Sequence, residues 1–254
     1  MAQVFNRRKV RAVTEDQENR PSASEVIKTL AELQLTNPGE GKVLYIQGTK
    51  NNWSWRPMCY ASQNFRAYYT LQLFNARVNL TTKAIEKAIE EGHVPQRFFK
   101  TVKSIASLGC GPGSDLCGVK TFLSEAFPFS SRGKQAPQFI GYDVELGWMH
   151  YLHSLGFDFE NVEINRTFVN DVKEFDVILM SFCAKELCCG LSSGKNDETL
   201  WKAISQKAKF VLVIDNEKMS NDFPSEKEQY KQFNLNDILG NKIAVYCYYS
   251  AADD

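Results

Sequence analysis

The sequence predicts an α/β fold, a mostly parallel sheet with helices on both faces and an antiparallel terminal strand, preceded by a helical extension. Three observations predict it. After Pro95, short apolar runs alternate with helical segments, the rhythm of parallel strands joined by crossover helices. A glycine-rich turn at 109–113 follows the first of these runs and opens a helix. The last run, at 242–250, follows YKQFNLNDILGNK with no room for a crossover helix, which makes it antiparallel to a partner near Gln232 to Leu235.

At 254 residues the chain is long enough for one large α/β unit and short for two independent domains. Its 30 basic and 30 acidic residues cancel, so no global field steers it onto a DNA duplex or an anionic membrane. No run approaches the roughly 20 apolar residues that span a bilayer, and the start lacks a signal-peptide run. The expected location is therefore inside the cell, in the cytoplasm. Arg7, Arg8, Lys9 and Arg11 form a basic cluster that reads as a solvated tail or, alternatively, as a nuclear import signal. The 7 cysteines are odd in number and lack a CxxC pair, which fits reduced core thiols, and with His93, His150 and His153 they show no zinc-ligand spacing.

Residues 1–21 are polar and aperiodic and are expected to form a disordered arm, with a helical extension or lid over 22–100. In SEVIKTLAELQL, with Ser22 and Ser24 as the capping candidates, residues Val26, Ile27, Leu30, Leu33 and Leu35 recur at helical spacing until Asn37-Pro38-Gly39. Residues 43–57 carry Trp53 and Trp55 among Gly, Asn and Pro and read as a loop with at most a short strand. CYASQNFRAYYTLQLFNARVNL presents a broad apolar face that includes Phe65, Tyr69 and Phe74. TTKAIEKAIEEGHV reads as a second helix, capped by Thr81 or Thr82 and stopped at Gly92.

Residues 101–254 carry the sheet. The runs are VKSIASL (102–108), QFIGYD (138–143), NVEIN (161–165), FDVILMS (175–181), KFVLVID (209–215) and KIAVYCYYS (242–250); with the partner near 232–235 they make seven strands. LCGVKTFLSEAF, LGWMHYLHSLGF, AKELCCGL and DETLWKAISQKA supply helices, and FPFSSRGKQAP reads as an exposed insertion.

The first run ends in LGCGPGSD (108–115). Glycines at 109, 111 and 113 let the backbone turn sharply and approach a ligand without a Cβ in the way. About 30 residues on, Asp143 ends the next strand, and in a doubly wound sheet the two positions converge on one crevice. The turn reads GxGxG, which differs from the GxGxxG fingerprint that seats a pyrophosphate, and no GxxxxGK[ST] is present.

LGCGPGSD resembles motif I of class I S-adenosylmethionine-dependent methyltransferases, and FIGYDVE resembles their second motif. The resemblance covers roughly residues 100–250. It implies a Rossmann-like sheet of order 3-2-1-4-5-7-6 and S-adenosyl-L-methionine as cofactor. Gly109, Gly111 and Gly113 would face its methionine and ribose, Asp143 would take the ribose, and Val144 would lie against adenine. An adenine contact after the third strand would fall at Asn170 or Asp171. FDVILMS is similar to the family's fourth strand, led by Asp176. Where the family commonly carries an acid two positions before the first glycine, this chain has Ser107. Asp115, in the first helical turn, either supplies that carboxylate or makes a helix-dipole interaction.

Methyl transfer from a sulfonium is an in-line displacement that needs alignment, exclusion of water and, for some acceptors, removal of a proton. Ser181 and Glu186, at the end of the fourth strand, are the candidates for polarising an acceptor, and Ser181 also for touching the cofactor. Neither a [DNS]PP[YF] tetrapeptide nor a Pro-Cys nucleophile occurs, and Cys183, Cys188 and Cys189 read as core thiols. Arg66, Tyr68 and Tyr69 are candidates for lining the lid, with simple core packing as the alternative, and Trp148 either covers the adenine edge or packs on the sheet. The expected activity is methyl transfer to a small molecule or a protein side chain. An RNA methyltransferase, favoured by the basic arm, and a catalytically inactive interaction module, favoured by Ser107, are the alternatives.

Overall fold

The computed structural model of the chain describes residues 21–50, 57–127, 136–184, 187, 198–216, 230–236 and 242–250. The arm up to residue 20, Trp53, Trp55, the insertion at 128–135, Glu186, Cys188 and Cys189 lie outside them.

Helix α1 (Ala23–Gln34) begins with a reciprocal cap, in which Glu25 N donates to Ser22 Oγ and Ser22 N to the Glu25 carboxylate. Helix α2 (Pro38–Lys50) replaces the loop expected from residue 43. Pro38 fits the first helical turn, Glu40 N donates to Asn37 Oδ1, and packing against the long α4 outweighs the poor helix propensity of the glycines. At Gly41 a Cβ would lie 2.5 Å from the Asn64 carbonyl oxygen, so the glycine that obscured the helix is what lets it dock.

After the short α3 (Pro57–Ala61), α4 (Gln63–Glu90) runs unbroken for 28 residues where two helices were expected. No Gly or Pro interrupts 79–83, and the proposed caps are used otherwise. Thr82 Oγ1 donates to the carbonyls of Val78, one turn back, and Gly118, while Thr81 is buried against the next domain helix. Gly92, at φ 73, follows the helix end as expected.

The sheet follows the short α5 (Phe98–Thr101): β1 (Ser104–Leu108), α6 (Ser114–Ala126), β2 (Gln138–Asp143), α7 (Met149–Ser154), β3 (Asp158–Asn161), α8 (Arg166–Asp171), β4 (Phe175–Ser181), α9 (Glu198–Gln206), β5 (Ala208–Asn216), β6 (Lys231–Asn236) and β7 (Lys242–Tyr249). Its order is β3-β2-β1-β4-β5-β7-β6, with β7 antiparallel to both neighbours. This is the Rossmann-like order expected from the sequence. The third strand lies three residues earlier than expected, because Asp158 pairs with Ile140, and Ile164 turns in beside Phe168 and Val169. Alternate strand residues enter two cores, Ile105, Val177 and Leu179 toward α4 and α6, Ala106, Ile178 and Met180 toward α8 and α9. Burial on both faces explains why these strands read as continuous apolar runs.

Helix α4 crosses above α6 and meets the carboxyl ends of several strands in turn. Arg66 pairs with Glu145 just after β2, Arg77 lies over Phe182 just after β4, and Lys87 Nζ donates to Asn234 O on β6. The stretch from Arg66 to Lys87 is roughly 31 Å of helix, enough to cross the roughly 24 Å from β2 to β6. Among the described residues no helix is long and apolar enough to cross a membrane.

The α4–α6 crossing depends on Gly118, where a Cβ would lie 2.6 Å from Thr81 Cβ and 2.7 Å from Val78 O. Backbone cannot yield as a flexible side chain does. Gly118→Ala is expected to lower unfolding free energy by about 1–3 kcal/mol in urea titrations; unchanged stability would mean the helices can separate freely.

Candidate functional site

The turn between β1 and α6 is tied to the end of β2. The amides of Gly109 and Cys110 both donate to Tyr142 O, at 2.8 and 3.1 Å. All three glycines have positive φ, at 68, 50 and 79° for Gly109, Gly111 and Gly113, but for different neighbours. A Cβ on Gly109 would lie 2.9 Å from Cys183 Sγ, and one on Gly113 would lie 2.8 Å from Leu152 Cδ1. These two serve packing. Among the described residues a Cβ on Gly111 would meet nothing within 4 Å, so this residue turns bare backbone away from them.

Gly111 N donates to Asp143 Oδ2 at 3.0 Å, and Glu145 N donates to Asp143 Oδ1 at 2.9 Å. The carboxylate at the end of β2 thus faces the turn after β1. Burial, with the nearby Glu145 charge, pushes the Asp143 carboxyl up to about 6, against the opposing pull of the amide hydrogen bonds. Val144, 70% exposed, and Leu146, 54% exposed, form an apolar rim beside it.

Beneath the turn lies a buried polar knot. Ser107 Oγ donates to Asp115 Oδ2 at 2.7 Å, and Leu116 N donates to Asp115 Oδ1 at 2.8 Å. Burial raises the Asp115 pKa, while these hydrogen bonds and the nearby Ser181 hydroxyl oppose the rise. Asp115 is 1% exposed, so it braces the turn from below. Ser181 Oγ, at the end of β4, is buried without a hydrogen bond of normal geometry. Next to it Phe182 has φ 59, the single positive value outside glycine among the described residues. Its N–H donates to Ile214 O, which holds it there.

Asn170 and Asp171 are not at this site. They end α8, which runs back toward the amino edge of the sheet, and Lys207, just before β5, donates to the carbonyls of Asn170 and Val172. The segment that follows β3 at the carboxyl edge is 162–165, and the expectation failed because β3 begins and ends earlier than its apolar pattern suggested. Trp148 is buried among Tyr60, Tyr69 and Tyr151 and packs. Tyr68 is half-buried against Tyr45. Tyr69 is buried and its hydroxyl accepts from Arg77.

Arg66 is buried too. Its guanidinium pairs with Glu145 at 3.2 Å, donates to Tyr60 O and fills the space over Gly147. Glu145 also accepts from Gly147 N, so one ion pair fixes both α4 and the turn carrying Asp143. Glu145, Arg77, Phe182 and Tyr45 were missed by sequence reasoning. Glu145 stood two residues from Asp143 and offered a signal; the positive φ of Phe182 and the reach of Arg77 across α4 offered none.

Three of the described thiols are buried and held protonated. Burial pushes Cys117 and Cys247 up to about 12 and Cys110 well above its ordinary value. Cys183 Sγ sits 3.1 Å from Leu108 O.

No family model and no curated protein matches the sequence. Solved structures similar to this chain include the plantazolicin methyltransferase BpumL in complex with SAH, 14% identical over 88% of this chain and 99% of that one, with TM-score 0.46. Another is magnesium protoporphyrin IX methyltransferase from Synechocystis with bound SAM, 9% identical over 69% and 80%, with TM-score 0.45. A putative RNA methyltransferase from Pyrococcus horikoshii is 13% identical over 69% and 84%, with TM-score 0.43.

The Asp143 carboxyl titrates near 6 in the fold against an ordinary 3.8. A carboxyl raised by folding contributes its stability below the unfolded value and loses it as pH rises through the folded one. Compared with Asp143→Asn, the unaltered protein is therefore expected to lose stability between about pH 4 and 6 and to stay level above that. Urea titrations at several pH values check this, and a constant difference would show the carboxylate to be well solvated.

Proposed function

We propose that this chain is an S-adenosylmethionine-dependent methyltransferase whose cofactor lies over Gly111 at the carboxyl edge of β1, β2 and β4. The observation that carries the reading is the juxtaposition of open backbone at Gly111 with the Asp143 carboxylate, 3.0 Å from its amide. Bare backbone admits a flat nucleoside closely, and a carboxylate is an acceptor suited to two vicinal hydroxyls.

In this reading the backbone at Gly109, Gly111 and Gly113 shapes the cradle, Asp143 holds the ribose, and Val144 gives adenine an apolar surface. Asp115 acts through Ser107, whose hydroxyl it orients. Both are buried beneath the turn, so they fix its shape and leave contact with the cofactor to the glycine backbone and Asp143. When bound, the cofactor supplies an electrophilic methyl group on sulfur. Ser181, at the end of β4 with its hydroxyl near Asp115, is the residue assigned to orient an acceptor or the cofactor's amino-acid tail. Helix α4 roofs this edge and excludes water, leaving alignment as the main work of catalysis. The acceptor is a small molecule or a protein side chain able to enter beneath α4.

Calorimetric titration with S-adenosylhomocysteine tests the reading. The unaltered protein is expected to bind. Gly111→Arg meets no described neighbour and costs roughly 1–2 kcal/mol of stability through its left-handed backbone, so it keeps the fold while abolishing binding, and Asp143→Ala weakens binding by roughly 1–3 kcal/mol. Unchanged affinity in Gly111→Arg sinks the proposal. Labelled cofactor incubated with fractionated cell extract then reports whether metabolite, protein or RNA receives the methyl group.

A further inference from the structure

We infer that Arg77 is a carboxylate seat at the β4 end of the crevice, receiving the planar anion of a bound substrate; the inference rests on the methyltransferase reading. Helix α4 extends two arginines toward the carboxyl edge, and their surroundings differ. Arg66 is spent on Glu145 at 3.2 Å. Among the described residues Arg77 has no carboxylate within ion-pair distance, although it is partly buried.

Arg77 is nevertheless held in place. Its guanidinium carbon lies 4.2 Å from the Phe182 ring centroid and 5.0 Å from that of Tyr69, and one nitrogen donates to the Tyr69 hydroxyl. Two aromatic faces orient a guanidinium and partly desolvate it, which strengthens any ion it meets while leaving its remaining N–H donors unused. Tyr45 lies close enough for Arg77 to pull its hydroxyl's pKa downward, against a larger rise from burial.

The second observation is the backbone of Phe182. A bulky residue at φ 59 is costly and persists where its surroundings demand it. Here the strain brings the ring onto Arg77 directly after Ser181, whose buried hydroxyl lies beside Asp115. Cys183, the next residue, packs against Gly109, so the seat adjoins the glycine turn. An oriented, unpaired guanidinium at that point fits a carboxylate through its paired N–H fork. The carboxylate belongs either to the methyl acceptor or to the cofactor's amino-acid tail.

Calorimetry with S-adenosylhomocysteine and 5′-methylthioadenosine separates these sources, because the second shares the nucleoside and thioether but has no carboxylate. If the cofactor's tail occupies the seat, Arg77→Met weakens S-adenosylhomocysteine roughly tenfold to a hundredfold and leaves methylthioadenosine unchanged. If the acceptor occupies it, Arg77→Met binds both nucleosides normally. Transfer of label from the cofactor into the acidic fraction of a cell extract then falls by a similar factor. Arg77→Lys keeps the stem and charge but loses the fork, so it recovers part of either loss, and it stands in where Arg77→Met does not fold. Two results overturn the seat: equal weakening of both nucleosides, which marks a packing role, or normal nucleoside binding with undiminished label transfer. Failure of the unaltered protein to bind either nucleoside overturns the methyltransferase reading itself, and the seat with it.

Discussion

The hydrogen bond from Gly111 N to the Asp143 carboxylate joins the carboxyl ends of β1 and β2, and the rest of the site is arranged around it. Two adjacent parallel strands end at the same edge, so a turn after one and a side chain on the other can meet without a long loop. The amides of Gly109 and Cys110 reinforce this by converging on Tyr142 O. The carboxylate is held charged by amides while burial works to neutralise it, a tension expressed in its raised pKa.

What holds the roof over this edge is a second set of polar contacts. Arg66 and Glu145 form a largely buried pair, a kind of interaction that adds little net stability but is costly to break. Its use here is geometric, since Glu145 also holds Gly147 N and its own amide holds Asp143. The helix that shields the crevice and the turn that carries the carboxylate are therefore mechanically one unit. Further along, α4 depends on the absence of a side chain at Gly118 and on Thr82 bridging to its carbonyl. That continuity places Arg66 and Arg77 over different strand ends from one rigid rod.

Ser107 shows how a helix brings a carboxylate beneath the end of a strand. Its hydroxyl is bonded to Asp115, which enters from the first turn of α6. A carboxylate contributed by the helix thus lies under the turn. Keeping it there has a cost in desolvation, offset by the Ser107 hydroxyl and the Leu116 amide.

The strand order came through the resemblance of its motifs, whereas the sequence's own pattern determined the antiparallel last strand, the glycine turn and the partnership of that turn with Asp143. These follow from local signals: apolar runs of strand length, glycine where backbone must bend, and the rule that parallel strands expose one common edge. It misjudged residues 43–50, the unity of α4 and the position of β3, each decided by packing. Gly41 looks like a breaker until Asn64 is seen against it, and Thr81 looks like a cap until α6 covers it. Tertiary structure alone decided that Gly109 and Gly113 answer to Cys183 and Leu152 while Gly111 meets no such neighbour among the described residues. It alone removed Asn170 and Asp171 from the crevice and brought Arg77 onto Phe182. The physical reason is the same throughout. Periodicity reports which side of an element is apolar, whereas the identity of the atoms opposite each residue depends on contacts between segments far apart in the chain.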